Sequence, residues 1–365
     1  MTDVFIVLTG AYGNVGDGVI RRRVLQWVRG AGEIHAYVGN APEDWVEQLG
    51  LNGDVEIYSA ARSWKWVRTL MFGRGRRALV FDPGQVPLGK GARRAEAYYL
   101  ALTLWTRLRG GVVIRPPRAF AGTLDPVAFR LHRAGARASN VALWRTPRCE
   151  TAIGVGEFCP DTAFQEPFEA GSPMVERKRI VVSMRGKRAL PSAAWFDSVK
   201  KLAVHSGGDV LILSQVREDE VRSNEITERL RISGVGADML EWGENSDLEQ
   251  EDVVRAEYAR ARFVVSDRLH VLILAAKAGA IPLEYTDHHP SKADEHFAAI
   301  GYRGVSSLVA EGDSAGAVEH AIAAEQRIDE LQGLMQTAFA SISDRVIEIE
   351  QLVSRTSASE LMSVA

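Results

Sequence analysis

The stretch that decides the fold is residues 4–18, VFIVLTGAYGNVGDG, near the start of the chain. Residues 4–8 form a continuous apolar run, which is typical of a strand covered on both faces in a parallel sheet. A glycine-rich segment follows, and apolar residues from Val19 onward recur at helical spacing. The order of strand, glycine-rich turn and helix predicts that the chain opens with an α/β domain.

Apolar runs and helical stretches continue to alternate along the remaining sequence, as they do in doubly wound α/β domains. We predict strands at 33–38, 55–58, 78–81, 112–114 and 141–144, and a second series at 179–183, 209–213, 262–266 and 281–284. A turn-rich segment with little periodicity lies between Pro160 and Arg179, so the domain linker is placed there.

These patterns predict an N-terminal domain over residues 1–165 and a C-terminal domain over residues 175–310, both Rossmann-like. Two such domains facing a cleft are the plan of the glycosyltransferase-B architecture, although alternation alone does not separate it from other paired α/β folds. A C-terminal helix over residues 314–358 completes the prediction, because apolar residues from Ile328 to Val353 recur at steps of three and four. That stripe either packs against the protein's own domains or forms the seam of a homodimer.

The composition is that of an ordinary globular protein. Of 365 residues, 46% are hydrophobic and 25% are charged, which excludes a disordered chain. The formal net charge is -3, but Lys and Arg outnumber Asp and Glu by 22 to 12 in residues 1–150. The small net charge gives no argument for nucleic-acid binding, whereas the basic N-terminal half should attract other anions.

Cysteine usage and the lack of export or membrane signals indicate a cytoplasmic protein. Cys149 and Cys159 are too few for a disulfide framework or a zinc site, and no other metal-ligand set is visible. The first residues lack the pattern of an export signal, and no apolar run approaches the length of a membrane span.

The glycine-rich turn is the first candidate binding motif. In GNVGD, residues 13–17, small residues and free amides at a helix N-terminus would favour an anion, with Asn14 and Gly16 as donors. The spacing is not that of a dinucleotide fingerprint, and a simple tight connection remains the alternative. Asp17 is either a base or hydrogen-bond acceptor for a substrate hydroxyl, or a charge that stabilises the helix N-terminus.

The second motif is SDRLH, residues 266–270, between an apolar strand and an apolar helix. Arg268 and His270 would project from the carboxyl end of a parallel strand, where open α/β sheets bind ligands. Because a buried guanidinium requires an anionic partner, Arg268 predicts a carboxylate or phosphate ligand. The alternative is an Arg268–Asp267 pair, with His270 hydrogen-bonded to a loop carbonyl.

GNVGD near the N-terminus, SDRLH, and GAIP at 279–282 occur in an order and separation that resemble the polysaccharide pyruvyl transferase family. The similarity extends, with gaps, from about residue 4 to residue 301. The resemblance implies a glycosyltransferase-B fold and phosphoenolpyruvate as the donor. The product would be a pyruvate ketal on a sugar of a cell-surface polysaccharide, formed without a separate cofactor.

The resemblance also implies donor-site residues. The family's Arg-Leu-His falls on Arg268, Leu269 and His270, and a second donor-binding arginine aligns with Arg145. Thr146 and Cys149 depart from the family pattern around that arginine, so Arg148 stays open as the alternative contact. PDTAF at 160–164 resembles the family's hinge segment, whereas FDPG at 81–84 lacks the usual run of glycines on the acceptor side.

The donor's chemistry suggests roles for these side chains. Arg145 and Arg268, one from each domain, would clamp the carboxylate and phosphate. His270 would exchange protons, as acid or base, and Asp17 is the second catalytic candidate. Arg185 and Lys292 are further donor-site candidates. The pair His288-His289 has no carboxylates or cysteines at ligand spacing, so we interpret it as a loop and predict no metal.

The acceptor side is marked by a segment of aromatic and basic residues, RSWKWVRTLMFGRGRR at 62–77. Such a segment either lies on an anionic membrane, which would suit a lipid-linked acceptor, or is a packing helix with solvated arginines.

Two other functions compete with pyruvyl transfer: a nucleotide-sugar glycosyltransferase of the same architecture, and an inactive glycan- or phosphate-binding homologue. Glu284 lacks the acidic partner seven residues away that often accompanies a ribose-binding glutamate in retaining nucleotide-sugar enzymes.

Overall fold

The computed structural model describes residues 2–51, 53–120, 122–169, 174–286, 291–309 and 315–354. They divide into two compact units. Unit 1 holds the described parts of Met1–Tyr12, Asp17–Gln165 and Ala340–Ala365, and unit 2 those of Gly13–Gly16 and Glu166–Phe339. The glycine-rich turn therefore groups with unit 2, although the strand before it belongs to unit 1.

Unit 1 is built on an eight-stranded parallel sheet. Its strands are β1 (Thr2–Val7), β2 (Ile34–Gly39), β3 (Val55–Ser59), β4 (Arg76–Val80), β5 (Gly84–Val86), β6 (Val112–Phe120), β7 (Val141–Trp144) and β8 (Glu157–Phe158). They lie in the order β3-β2-β1-β4-β6-β7-β8, and β5 pairs with β6. The helices are α1 (Val15–Gln26), α2 (Glu43–Gln48), α3 (Ser63–Phe72), α4 (Arg93–Leu108), α5 (Pro126–Ala138) and α6 (Pro147–Ile153).

Unit 2 is built on a six-stranded parallel sheet. Its strands are β9 (Ile180–Ser183), β10 (Val210–Leu213), β11 (Ala237–Leu240), β12 (Phe263–Ser266), β13 (Ile281–Thr286) and β14 (Ser306–Leu308). They lie in the order β11-β10-β9-β12-β13-β14. The helices are α7 (Ala193–Ser206), α8 (Glu220–Ile232), α9 (Asp247–Arg260), α10 (Leu269–Lys277), α11 (Lys292–Ala299), α12 (Ala315–Gln326) and α13 (Ile328–Ser354); the last continues into unit 1.

Both sheets have the doubly wound order that the alternating pattern predicted. The chain adds strands outward on one side of β1 or β9 and then returns to the other side, at β4 or β12. The central strands are apolar on both faces because helices cover both faces, and Phe5 and Val265 are fully buried. At the point where the strand order reverses, the carboxyl ends of adjacent strands leave a crevice, which is where such sheets bind ligands.

The C-terminal region differs from the single helix predicted over 314–358. Its described part forms two helices, α12 and α13, which are separated at Arg327. The guanidinium of Arg327 donates to the main-chain oxygen of Arg303 at 2.7 Å and pairs with Glu330 at 2.7 Å. These contacts tie the junction to a neighbouring loop, so the chain turns where the apolar spacing alone indicates continuity.

The apolar stripe of α13 packs against the protein itself. Leu331, Met335, Ile342 and Val353 are fully buried. At the far end of the helix, the Thr2 hydroxyl donates to the main-chain oxygen of Val353 at 2.8 Å. The stripe is therefore occupied within one chain and does not provide a dimer seam. Among the described residues, no helix combines the length and hydropathy needed to cross a membrane.

Substitution of Ile342 by Ala should lower the free energy of unfolding by about 2–5 kcal/mol, because it leaves a cavity under a fully buried side chain. Ile347→Ala is the matched control on the same helix, since Ile347 is 52% exposed. Urea unfolding of both variants gives the comparison. Equal losses would contradict the inward orientation of the stripe.

Candidate functional site

The carboxyl edge of the unit 2 sheet gathers the polar residues of the second motif. Arg185 follows β9, Asp267 and Arg268 follow β12, and Glu284 lies near the end of β13. β9 and β12 are the adjacent strands at which the strand order reverses. The structure thus places this polar group at the expected ligand-binding edge of a doubly wound sheet.

The guanidinium of Arg268 is paired with a carboxylate, but not with that of Asp267. Its NH2 group donates to Asp219 Oδ2, and Asp219 Oδ1 accepts the N–H of Gly186 at 2.8 Å. Asp219 precedes α8, 49 residues before Arg268 in the sequence, and it is 3% exposed. This carboxylate holds Arg268 in place and also ties down the loop after β9. No local sequence signal marked it.

Asp267 anchors the loop after β9 from the other side. Its Oδ1 accepts the main-chain N–H of Arg185 at 3.0 Å, and its Oδ2 lies 3.0 Å from the guanidinium of Arg188. Asp267 is 7% exposed. The two acidic residues, Asp219 and Asp267, therefore fix the loop that carries Arg185 and Arg188.

A cavity of about 540 Å³ opens beside this loop, within unit 2. Its polar wall contains Arg185, Arg188, Arg222, Asp267, Glu284 and Lys292, and its apolar wall contains Met184, Leu190 and Trp195. Four cationic side chains against two acidic ones make the cavity suited to an anion. The structure thus brings together the predicted candidates Arg185 and Lys292, and Arg268 lies outside the lining.

Arg185 is a partly buried arginine in the cationic wall of the cavity. Burial lowers the pKa of its guanidinium, although Asp267 opposes that effect. Its buried Nε has no hydrogen-bond partner among the described residues. A desolvated guanidinium with an unused donor gains free energy when an anion enters, so Arg185 is a strong candidate for ligand contact.

Glu284 is one of the two acidic residues in the cationic cavity. Burial raises the pKa of its carboxyl group, although hydrogen bonds from Ser291 and Ser306 oppose the shift. The Ser306 hydroxyl donates to Glu284 Oε2 at 2.5 Å, and Ser291 donates to the same oxygen. The two hydroxyl groups hold a carboxylate at the wall of a cationic cavity in one orientation.

The glycine-rich turn lies directly against His270. A Cβ built on Gly16 would be 2.5 Å from His270 Cβ and 2.6 Å from Nδ1, so only glycine fits beside the imidazole. The Val15 N–H donates to the main-chain oxygen of Gln215 at 3.1 Å, and Asn14 Oδ1 accepts the Gly16 N–H at 3.1 Å. The Val15 and Gly16 amides are thus hydrogen-bonded within the protein, and Gly16 packs closely against His270.

Two residues implied by the family resemblance are placed away from solvent. Leu269 is 3% exposed in the first turn of α10, so its side chain belongs to the core and cannot contact a donor. Arg145 is 1% exposed and pairs with Asp161 at 2.7 Å inside unit 1. A donor would have to displace Asp161 to reach Arg145, whereas Arg148, the alternative arginine, is exposed.

Asp17 belongs to a second polar group, at the reversal point of the unit 1 sheet. Its carboxylate lies 3.4 Å from the guanidinium of Arg21, which is also 3.9 Å from Asp82 at the end of β4. Arg118 donates to the Asp82 carboxylate and to its main-chain oxygen, the latter at 2.7 Å. Asp82 was noted in the sequence only for replacing a glycine; the structure shows that two buried arginines hold it.

One group of potential metal ligands occurs among the described residues: Glu33, His35 and Glu56. Glu56 lies 3.2 Å from Nδ1 of His35, whereas Glu33 lies 4.0 Å from Nε2. The carboxylates thus face opposite ring nitrogens, and Lys65 also binds Glu56 at 3.0 Å. This geometry suits a hydrogen-bonded histidine better than an ion site. His288 and His289 lie outside the described residues.

The comparisons with known proteins support the fold. No protein-family model and no curated protein sequence matches the chain. Among solved structures, Anabaena HepE in complex with UDP and glucose is similar over 100% of both chains, with a TM-score of 0.52 and 12% identity. An α-glucosyltransferase bound to UDP and a DNA 13-mer has a TM-score of 0.50 and 10% identity, over 97% of this chain and 99% of that one.

A third neighbour, S. aureus MnaA with UDP, has a TM-score of 0.50 and 9% identity, over 93% of this chain and 92% of that one. With two parallel-sheet α/β units and these neighbours, the chain has a glycosyltransferase-B-like fold. Identities of this size show the fold alone.

Replacing Gly16 with Ala should reduce the free energy of unfolding by about 1–3 kcal/mol, because the added methyl group would overlap the imidazole of His270. Gly91→Ala is the control: a Cβ there meets nothing within 4 Å, and about 0.5 kcal/mol or less is expected. Denaturant unfolding distinguishes the two. An unchanged free energy of unfolding in Gly16→Ala would contradict close packing of the turn against His270.

Glu284→Gln should change how stability depends on pH. Since the pKa of Glu284 is raised in the folded state, the folded protein loses stability as the pH rises from about 4.5, the ordinary pKa of a glutamate, through that raised pKa. The amide does not titrate, so the melting temperature of the variant relative to the parent should be higher at pH 8 than at pH 4.5. A melting-temperature difference that does not change with pH would show that ionisation of Glu284 does not destabilise the folded protein.

Proposed function

We propose that the protein is a transferase that binds a phosphorylated donor at the carboxyl edge of the unit 2 sheet. The favoured donor is phosphoenolpyruvate, and the favoured reaction is formation of a pyruvate ketal on a sugar. The observation that carries this proposal is the placement of Arg268 and His270, from the Arg-Leu-His motif, at the reversal point of that sheet. The resemblance to polysaccharide pyruvyl transferases supplies the donor.

Arg268 is suited to the anionic end of the donor. One of its five N–H groups is engaged by Asp219, and its Nε has no partner among the described residues. The side chain is 14% exposed. A carboxylate or phosphate could therefore bind the remaining donors while Asp219 keeps the guanidinium in orientation.

His270 is suited to the proton transfers of the reaction. Protonation of C3 of the donor leaves a cationic centre at C2, which a sugar hydroxyl attacks as it loses its proton. Phosphate then leaves, and a second hydroxyl closes the ketal. A histidine beside the donor can give or take these protons near neutral pH. The close fit of Gly16 fixes the position of the imidazole.

For the acceptor, unit 1 offers the carboxylates of Asp17 and Asp82, which can accept hydrogen bonds from sugar hydroxyls. The side chains are 22% and 27% exposed and are oriented by arginines. We propose a sugar of a cell-surface polysaccharide or of its lipid-linked precursor, modified in the cytoplasm, where phosphoenolpyruvate is formed. No cofactor or metal enters this scheme.

A nucleotide-sugar glycosyltransferase is the second candidate, and the comparisons support it more directly than pyruvyl transfer. The three similar structures described above contain UDP. The 540 Å³ cavity of unit 2 combines a cationic wall with the apolar side chains of Leu190 and Trp195. These could take the phosphates and the base of a nucleotide, respectively.

Thermal shift with phosphoenolpyruvate and with a panel of nucleotide sugars separates the candidates, followed by phosphate release with candidate acceptors. Pyruvyl transfer predicts stabilisation by phosphoenolpyruvate, whereas the second candidate predicts stabilisation by a nucleotide sugar. Binding of either donor without turnover on any acceptor would favour an inactive homologue.

Single-residue variants test which side chains contact the donor. If phosphoenolpyruvate binds at β12, Arg268→Ala should weaken its binding by about tenfold or more, the loss of a charge-assisted contact. Arg185→Ala should also weaken binding of the donor that enters the cavity, because the Arg185 guanidinium forms part of the cationic wall. Isothermal titration measures both. Unchanged phosphoenolpyruvate affinity in Arg268→Ala would refute the proposed contact.

His270→Ala should abolish transfer while leaving donor binding largely intact, because the imidazole is assigned to proton transfer. Single-turnover phosphate release and donor titration provide the two readouts. Turnover close to that of the parent would remove His270 from the mechanism.

A further inference from the structure

An exposed apolar strip runs over two neighbouring helices of unit 1. On α3, Trp64 is 62% and Phe72 is 67% exposed; on α4, Leu104 is 45% and Leu108 is 83% exposed. Trp105 joins the helices: its ring centroid lies 6.1 Å from that of Phe72, and its indole N–H donates to a main-chain oxygen of α3. We call this strip, with Tyr98, the α3–α4 surface.

The outer side of α4 carries large apolar side chains. Its buried residues include the polar Glu96, Thr103 and Thr106 beside Leu102. Leu104 and Leu108 lie one helical turn apart on the exposed side, and Tyr98 is also exposed. An ordinary surface helix buries its apolar stripe in the core, so this orientation indicates that the outer face has a partner of its own.

The charges around the strip are almost all positive. The segments 62–77 and 90–110 contain eleven Lys and Arg residues, of which Arg77 is buried and Arg93 pairs with Asp125, and one acidic residue, Glu96. Glu96 is 3% exposed and bonds to His132 at 2.9 Å, so it contributes no surface charge. The acidic neighbour Glu56 is already bound to Lys65, at 3.0 Å. Arg68, Arg74 and Arg109 are exposed beside the apolar side chains.

This combination selects one kind of partner. Two copies of the strip would bring like charges together, which opposes self-association. A nucleic acid would use the cations and the exposed aromatic rings but would gain little from the exposed leucines, Leu104 and Leu108. An anionic lipid bilayer uses both, because apolar side chains enter the headgroup boundary while Lys and Arg bind lipid phosphates.

We propose that the α3–α4 surface docks the protein onto an anionic membrane. Trp64, Phe72, Leu104 and Leu108 enter the interface, and the surrounding arginines bind the headgroups. The proposal does not depend on which donor unit 2 binds, and it adds α4 to the basic segment that the sequence indicated. Because the contact is interfacial, it needs no membrane-spanning helix.

Vesicle flotation with the full-length protein tests this. Vesicles of phosphatidylcholine with phosphatidylglycerol should carry the protein upward, phosphatidylcholine alone should not, and high salt should weaken the binding. Trp64→Ser/Leu108→Ser removes apolar contacts, and Arg68→Glu/Arg74→Glu reverses two charges. Each double variant should lower the partition into anionic vesicles by about tenfold or more.

The matched control is Val204→Ser/Ile232→Ser in unit 2, whose side chains are 78% and 84% exposed. It should float like the parent, and unchanged circular dichroism of all variants confirms that they fold. Absence of flotation with anionic vesicles would overturn the proposal. So would full flotation of the Trp64→Ser/Leu108→Ser variant, which would indicate binding by charge alone. A lipid-free dimer that this variant dissociates would assign the surface to a second copy instead.

Discussion

The pairing of buried guanidinium groups with carboxylates is the constraint on which this structure depends most. A desolvated arginine without an anion is costly, and breaking such a pair leaves a buried charge. Arg268 is held by Asp219, Arg145 by Asp161 and Arg118 by Asp82. Each pair joins segments distant in sequence, so the pairs fix which loops lie together at the carboxyl edges of the sheets.

One buried arginine of unit 1 is held in another way, by the hydroxyl groups of Ser139 and Thr103 at 3.1 and 3.3 Å. Arg115 is fully buried within the α/β core, where burial lowers the pKa of its guanidinium to about 9. Its side chain lies over Phe81, with the guanidinium carbon 4.3 Å from the ring centroid. A Cβ on Gly135 would be 2.5 Å from Arg115 NH2, so a larger residue in α5 would displace this guanidinium. With Glu96 and His132 also buried, α4 packs partly against polar groups, and Leu104 and Leu108 remain exposed.

The doubly wound order of both units could be predicted from the sequence, because it rests on local signals: apolar runs of strand length, a glycine-rich turn and regular alternation. The position of SDRLH after β12 follows from the same signals. The partner of Arg268 could not be predicted, since Asp219 lies 49 residues away and only the folded sheet brings the two together. The short strands β5, β8 and β14 were missed because two or three residues carry too little pattern, and β11 because Asp238 interrupts its apolar run. Strand β6 extends beyond the predicted residues 112–114 because no local pattern indicates that Arg115 and Arg118 are buried inside it.

The final helix gives the chain a property that two consecutive domains would not have. Residues 328–339 of α13 belong to unit 2, and the helix from Ala340 onward belongs to unit 1, where it meets the first strand through Thr2 and Val353. The N-terminal half of the gene thus does not encode a self-sufficient module. Recombination at the interdomain linker would separate β1 from the part of α13 that contacts it. An exchange of donor-binding units between relatives of this architecture would therefore have to keep the residues of α13 from Ala340 onward matched to unit 1.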